Sequence, residues 1–414
     1  MGCVRGNTRG HRIAAAVKPL MAGGVGAWLL SSTPALLADT NWIGPDGGSW
    51  FQDASPNDWS LTGGLVNPGG NPAIGNGAGV IDTSAGGNGV IYDPVNDPLN
   101  PNPSVTNYSY TQLYIDHGTS TVTQQSSKLT LKSGTLTISG NTIVGRYGND
   151  NISGSGPAVA PTGYLVINGG ALVSQSSDLD VANNGGTVTA GDVNANGVLI
   201  FDSGSLTAKV LRTGVSSNVS GAATGTFINS GKGLGVISLT GFQPGAGASG
   251  VGGSGALEID DGTNGVTLIS VAGPTKIGDV SAGTDLSTST FNFVLDAAPA
   301  MTLNVDPTLT DYVPANVDLI NSTAITGYFT SVEGISGLTG ETPMPTVTTS
   351  FGGHSYTWAL DYTAVVSGGN VTATTGGTDV VLLGEDSTVA VPEPASIGLL
   401  ALGSLALLKR RRTA

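Results

Sequence analysis

Beyond residue 38, few residues could support catalysis. His117 and His354 are the only histidines there, which leaves almost no material for a zinc site or a histidine-activated nucleophile. The chemistry that remains open is that of polysaccharide lyases and glycosidases, which need an acid pair, or carboxylates with Arg or Lys, on one face. Arg146 and Arg212 fall at similar places in two repeats. Duplication of a repeat would by itself give the two arginines similar positions, without any catalytic role. We therefore expect no enzyme activity.

Carboxylates offer a second kind of chemistry, the binding of calcium through oxygen ligands. Asp178 and Asp180 would share one face of a strand, and Glu258, Asp260 and Asp261 lie beside a glycine. Asp next to Gly is, however, common in turns that bind no metal. We therefore expect no cofactor, and calcium between repeats is a weak alternative.

Tryptophan is concentrated near the N-terminus, where Trp42, Trp50 and Trp59 lie within 18 residues. Indole rings can stack on sugar rings, which makes these three residues candidates for glycan stacking. The other interpretation is that they cover the core at one end of a stack of repeats, because aromatic side chains bury the most area. The sequence favours the second interpretation and leaves the first open.

Charge and cysteine content restrict the partners. Residues 39–391 hold 7 basic and 28 acidic residues, a net charge of −21. Nucleic acid is not expected as a partner, because a polyanion requires a basic surface. The only cysteine is Cys3, so beyond residue 38 the chain has neither disulfides nor thiol chemistry.

The elements that would position these residues form a repeat of about 30 residues, a period typical of solenoids. Similar segments begin at Gly163, Gly197, Gly225 and Gly255, and Gly134 begins an apparent earlier copy. Within each segment apolar residues alternate with others, which predicts strands with one face in a core. One unit cannot enclose its apolar face alone, so we expect the units to stack.

Each predicted unit contains a corner and a second apolar run. Gly170, Gly204 and Gly262 are predicted to supply the positive φ of the corner. The second runs are residues 179–182, 210–213 and 236–239.

The fold class is therefore predicted to be all-β, as a right-handed parallel β-helix or solenoid with terminal β caps. A β-sandwich or a tandem of small β domains is the alternative. The predicted divisions are a signal peptide (1–38), a Trp-rich N-terminal cap and loop (39–109), solenoid repeats (110–285), a β-rich C-terminal cap (286–383), a linker (384–391) and a targeting tail (392–414).

The N-terminus has the pattern of a secretory signal peptide. A leader with four basic residues precedes a largely apolar stretch, residues 20–37, and the composition changes at Asp39. Cleavage is expected after Ala35 or Ala38.

The C-terminus combines a Pro-Glu-Pro triplet, an apolar stretch at 395–408 and a basic cluster at 409–412. As a helix the apolar stretch would be about 21 Å long, a short single transmembrane helix. Four adjacent cations are costly to move through hydrocarbon, so the cluster should stay cytoplasmic with the upstream chain outside.

This tail resembles the PEP-CTERM sorting signal, which membrane enzymes called exosortases recognise. The residues that carry the resemblance are Pro392, Glu393, Pro394, Lys409, Arg410, Arg411 and Arg412. The Trp-rich stretch at 41–59 is also similar to the opening of many PEP-CTERM and autotransporter-type surface proteins. The resemblance implies an exosortase as partner, processing near the triplet, and release to, or attachment at, the cell surface or extracellular matrix.

From these observations we expect an exported, non-enzymatic structural or adhesin-like protein. It would be transiently anchored in the membrane by its C-terminal helix and would contact extracellular polysaccharide or matrix. The alternative is an extracellular polysaccharide lyase or glycosidase on the same scaffold.

Overall fold

A computed structural model of the protein describes most of the chain between residues 40 and 385. The described residues are 40–42, 47–51, 59–61, 78–81, 89–100, 102–115, 126–147, 162–184, 195–216, 223–246, 253–262, 264–277, 288–295, 314–333, 335–336, 345–351, 354–367 and 370–385. The signal peptide and the targeting tail predicted from the sequence lie outside these residues.

The described residues are all-β and contain no helix. Their strands are β1 (Thr40–Trp42), β2 (Trp59–Leu61), β3 (Ala78–Ile81), β4 (Val90–Tyr92), β5 (Asn107–Tyr110), β6 (Gln112–Ile115), β7 (Ser127–Leu131), β8 (Thr135–Ile138), β9 (Thr142–Tyr147), β10 (Thr162–Ser174), β11 (Leu179–Asn184), β12 (Ala195–Ser216), β13 (Ala223–Asn229), β14 (Gly235–Pro244), β15 (Gly253–Asp261), β16 (Ile269–Ile277), β17 (Thr288–Leu295), β18 (Val317–Gly327), β19 (Ser331–Val332), β20 (Ile335–Ser336), β21 (Thr346–Phe351), β22 (His354–Ser367), β23 (Asn370–Ala373) and β24 (Asp379–Glu385).

Parallel pairing between successive repeats produces three ladders. The first ladder joins β4, β7, the first part of β10, the first part of β12, β13, β15, β17 and β19. The second ladder joins β5, β8, the end of β10, the middle of β12 and the first parts of β14, β16 and β18. The third ladder joins β1, β3, β6, β9, β11 and the ends of β12, β14, β16 and β18.

The four clearest repeats are in register. Gly163 pairs with Gly197, Gly197 with Gly225, and Gly225 with Gly255. The residue two positions after each of these glycines points into the core. Its counterpart in every strand of the first ladder is apolar and fully buried. This column consists of Val90, Leu129, Leu165, Leu199, Phe227, Leu257, Phe291 and Val332. Alternation at period two therefore places one side of each strand in a continuous core.

A close backbone approach explains the glycine that begins each repeat. A Cβ at Gly225 would lie 2.0 Å from the Val181 carbonyl oxygen and 2.5 Å from the Gly214 nitrogen. Gly214 itself has φ of 67° and lies in the third ladder between the paired residues Thr213 and Val215. The start of the first ladder thus packs directly against the end of the third, with no room for a side chain.

Three details of the predicted repeat are wrong. Gly134 does not align with the leading glycines, because Ser127 pairs with Gly163. Of the predicted corner glycines, Gly204 has positive φ, but Gly170 and Gly262 do not. Residues 236–239 belong to the second ladder, whereas 179–182 and 210–213 lie at the third.

The parallel ladders extend beyond residues 110–285 on both sides, from β1, β3, β4 and β5 to β17, β18 and β19. After them, antiparallel pairs follow: β18 with β24, β24 with β22, and β22 with both β21 and β23. Trp358 is fully buried here, with its ring 5.0 Å from that of Phe293.

Candidate functional site

The sequence placed three tryptophans together, and the structure assigns them to two places. Trp42 and Trp59 are register partners in the antiparallel pair β1–β2; their side chains lie outside the described part. Trp50 lies in the core, 1% exposed, and its indole N–H donates to the Tyr110 hydroxyl at 3.1 Å. A ring with so little exposed surface has no face to offer a sugar.

Trp50 belongs to an aromatic cluster at the N-terminal end of the described core. Its other members are Phe51, Tyr92, Tyr108 and Tyr110, with ring centroids 5.2 to 6.2 Å apart. Burial raises the pKa of Tyr92 and of Tyr110 well above the ordinary range. These hydroxyls stay neutral at every physiological pH and act as hydrogen-bond partners, which is a packing role.

The principal charged cluster within the described residues lies on the outer side of the third ladder. Arg212 pairs in register with Asp180 of the preceding strand. Its Nε lies 2.7 Å and its Nη2 3.0 Å from the two Asp180 carboxylate oxygens, and Nη2 also lies 3.1 Å from Asp178. Asn183 donates a further hydrogen bond to Asp180. The two carboxylates proposed as calcium ligands therefore bind a guanidinium in this arrangement.

Burial governs the electrostatics of this cluster. The Asp180 residue is 4% exposed, and desolvation raises its pKa although Arg212 opposes the shift. Burial alone would lower the pKa of Arg212, but the adjacent carboxylates raise it, so the guanidinium stays charged. A bidentate, partly buried ion pair between successive strands fixes register.

Arg146 does not join Arg212. It pairs with Asn183, three residues beyond the Asp180–Arg212 position of the third ladder. The two arginines therefore do not share one register position of the third ladder, contrary to what the sequence suggested. His117 lies outside the described residues, and His354 begins β22.

Two carboxylates that interact electrostatically, Glu258 and Glu333, lie on the first ladder. Glu258 pairs with Asn292, and Glu333 follows Val332, the partner of Phe291. Two strand spacings would separate Glu258 from Glu333 by about 10 Å. Burial raises the pKa of both carboxyls, and Glu258 further raises that of Glu333. A carboxylate oxygen of Glu333 accepts the Phe293 N–H.

The described part of the chain holds neither a metal-binding cluster nor a membrane-spanning helix. There, no three His, Cys, Asp or Glu side chains gather closely enough to hold a metal ion. Nor does this part contain a helix long and apolar enough to span a bilayer. The predicted transmembrane helix at 395–408 falls outside it.

Comparison with known proteins locates the identifiable functional element in the tail. Residues 390–412 match the PEP-CTERM protein-sorting motif. No curated protein and no solved structure matches the chain. The matched stretch includes the Pro-Glu-Pro triplet, the apolar stretch and the basic cluster, in the order found from the sequence. The chain is therefore a PEP-CTERM motif-bearing substrate of an exosortase, an exported protein sorted through its C-terminus.

Proposed function

We propose that the protein is a non-enzymatic structural or adhesin-like component of the cell surface or extracellular matrix. The observation that carries this proposal is the sorting motif at residues 390–412, which follows the stacked β repeats in the sequence. Such a stack presents long, regular faces for contact with extracellular polysaccharide.

The scaffold under this proposal is a right-handed parallel β-helix with antiparallel caps. Its support is β12, a continuous strand of 22 residues that contributes to all three ladders. A β-sandwich would pair strands mainly in antiparallel fashion, whereas pairing from β3 to β17 is parallel among the described strands. Aromatic clusters around Trp50 and Trp358 lie where caps would cover the core.

The targeting steps follow the chemistry of the two ends. The signal peptide directs export, and the helix at 395–408 then holds the chain in the membrane with Lys409–Arg412 on the cytoplasmic side. An exosortase processes the chain near Pro392-Glu393-Pro394, which frees the β domain for the surface or matrix.

The test is the destination of tail variants in the native host. Deletion of residues 392–414, or replacement of Lys409–Arg412 by glutamine, should prevent processing and normal surface delivery. Removal of Thr413 and Ala414 alone is the matched control, because both lie outside the motif. Delivery of the deleted chain to the same place as the wild type would refute tail-directed sorting.

The alternative function is that of a carbohydrate-active enzyme, and the column of Glu258 and Glu333 is the observation that favours it. Inverting glycosidases hold two carboxyls about 6.5–9.5 Å apart, and two strand spacings put this pair slightly beyond that range, at about 10 Å. Release of reducing sugar from the host polysaccharide, lost in Glu258→Gln, would establish the enzyme. Binding without turnover would support the structural role.

A further inference from the structure

The outer face of the second ladder has an unusual composition. Between the buried positions, two columns of side chains point away from the core across six successive strands. The first column is Asn107, Thr135, Ala171, Ser205, Val236 and Leu268, and the second is Ser109, Thr137, Val173, Thr207, Ser238 and Ser270. We call these twelve residues the ladder-two face.

Burial alternates strictly along these strands, which establishes the orientation of the face. In β14, Val236 and Ser238 are exposed while Ile237 and Leu239 are buried. In β16, Ser270 is exposed between the buried Ile269 and Val271. The face is thus an outward, solvent-accessible ribbon supported by the core beneath it.

The ladder-two face carries no charged residue at any of its twelve positions, and Lys209 borders it at one strand. The chain as a whole has 29 acidic residues and a formal net charge of −14. The third ladder, by contrast, presents the ion pairs of Arg212 on its outer side. An uncharged ribbon on so acidic a protein favours an uncharged partner, because polyanions are repelled by the molecule's overall field.

Aliphatic side chains give the face a second property. Val236 is 60% exposed, and Leu268, 38% exposed, directly precedes β16, so that both residues come just before the register pair Ile237–Ile269. Leu234, two residues before Val236, is 64% exposed. Hydroxyl groups of Thr207, Ser238 and Ser270 lie in the adjacent column. Apolar contact beside hydrogen-bonding groups matches a pyranose ring, which has an apolar face and an equatorial rim of hydroxyls.

We propose that the ladder-two face binds an uncharged polysaccharide whose chain runs along the ladder, across successive strands. The strands are about 4.8 Å apart, close to the length of one hexose in an extended chain, so each sugar would meet an equivalent pair of positions. The proposal rests on the surface or matrix role proposed above and names the class of its partner.

The size of the face argues against a second copy of the protein as occupant. Six strands extend over about 24 Å, and two columns give a patch of roughly 250 Å². A stable protein–protein contact buries about 800 Å² on each partner. A narrow ribbon suits a single polymer strand, for which many weak contacts add along its length.

The experiment measures binding of the protein recovered from its host to three probes: cellulose, soluble uncharged β-glucan and alginate. We expect binding to at least one uncharged glucan, little dependence on salt, and much weaker binding to alginate. Val236→Ser should weaken glucan binding about tenfold, since it removes the most exposed aliphatic side chain of the face. Val294→Ser, which changes a 40% exposed valine on the first ladder, is the matched control and should alter binding less than about twofold.

Four results would overturn the proposal. They are equal binding by Val236→Ser and wild type, equal or tighter binding to alginate, no binding to either uncharged glucan, and a wild-type dimer that Val236→Ser dissociates. Surface delivery of Val236→Ser is scored separately. Normal surface delivery of Val236→Ser together with lost glucan binding supports the proposal for the ladder-two face. Failed delivery of a tail variant bears only on the proposed sorting.

Discussion

Replacing Gly225 by alanine tests the close packing of the first ladder against the third. The added Cβ would meet the Val181 carbonyl oxygen at 2.0 Å and the Gly214 nitrogen at 2.5 Å. Both atoms are backbone, so neither can turn aside as a flexible side chain would. The clash can be relieved only by separating strands that pair in register on both sides of Gly225.

The magnitude follows from the usual costs of overpacking. An extra methyl group in a tight interior costs about 1–3 kcal/mol, and a rigid backbone obstacle places this variant at the upper end. Alanine also makes the unfolded chain less flexible than glycine does, and this effect stabilises the folded state by about 0.4–1 kcal/mol. We therefore expect a net loss of about 2–2.5 kcal/mol in the free energy of unfolding, a large part of a domain's total of about 5–15 kcal/mol.

Chemical denaturation followed by circular dichroism measures this loss. Gly265→Ala is the matched control, because Gly265 has φ of 77° but nothing within 4 Å of its added Cβ. The free energy of unfolding of Gly265→Ala should fall by only about 1–2 kcal/mol, the cost of holding alanine in the left-handed region. If Gly225→Ala were as stable as the wild type, or more stable than Gly265→Ala, the close approach of the two ladders would be refuted.

Three further outcomes are expected. Arg212→Met leaves Asp180 buried without its cation and should cost about 3 kcal/mol near neutral pH. Arg212 opposes the rise that burial causes in the pKa of Asp180, so its removal should raise that folded-state pKa further. The variant then holds a proton that the wild type has released, so the cost should grow as pH rises through the titration of Asp180 and shrink in acid; a pH-independent cost in urea titrations would contradict this. Trp50→Phe removes the hydrogen bond to Tyr110 and should lower the free energy of unfolding by about 1–2 kcal/mol, without loss of glycan binding. Lost glycan binding with unchanged stability would instead support stacking of Trp50 on a sugar. Calcium should leave the thermal midpoint unchanged, and a rise reversed by chelation would establish the calcium alternative.

The repeat was visible in the sequence, but only part of its geometry was. Alternation gave the inward column of the first ladder, and the period gave the register of Gly163 through Gly255. The corner at Gly204 was predicted, but the second ladder was not recognised as separate from the third. Its run in β12, Ser205–Ala208, leads into the third-ladder run at 210–213 with no turn residue between them. Local composition does not mark a bend within a continuous strand.

Backbone contacts between distant segments also escaped prediction. The corner position of Gly145, Gly214 and Gly245 is occupied in one repeat by Ala182, with φ of 62°. No local signal predicts a left-handed alanine, because it depends on packing against the next repeat. The predicted corner at Gly170 lies one residue earlier, at Gly169, where the register between β10 and β12 shifts.

The sorting motif was predictable because all its information is local: a triplet, an apolar stretch and a basic cluster, in order. The Arg212–Asp180 pair was missed because it depends on register. A usable signal existed, since aligning Leu179 with Leu211 places Asp180 opposite Arg212. Opposite charges at one position of successive repeats are a pattern that a repeat alignment would reveal.

The in-register parallel stack on which both proposals depend can be tested by paired cysteines. Thr226 and Ala256 are register partners on β13 and β15, about 4.8 Å apart at Cα, within disulfide range. Because Cys3 is the only native cysteine, replacing it by serine leaves no background. Oxidation should cross-link the pair Thr226→Cys and Ala256→Cys, as mapped by mass spectrometry, but not Thr226→Cys with Glu258→Cys, about 8 Å apart. Efficient cross-linking of the shifted pair in place of the aligned one would contradict the stack.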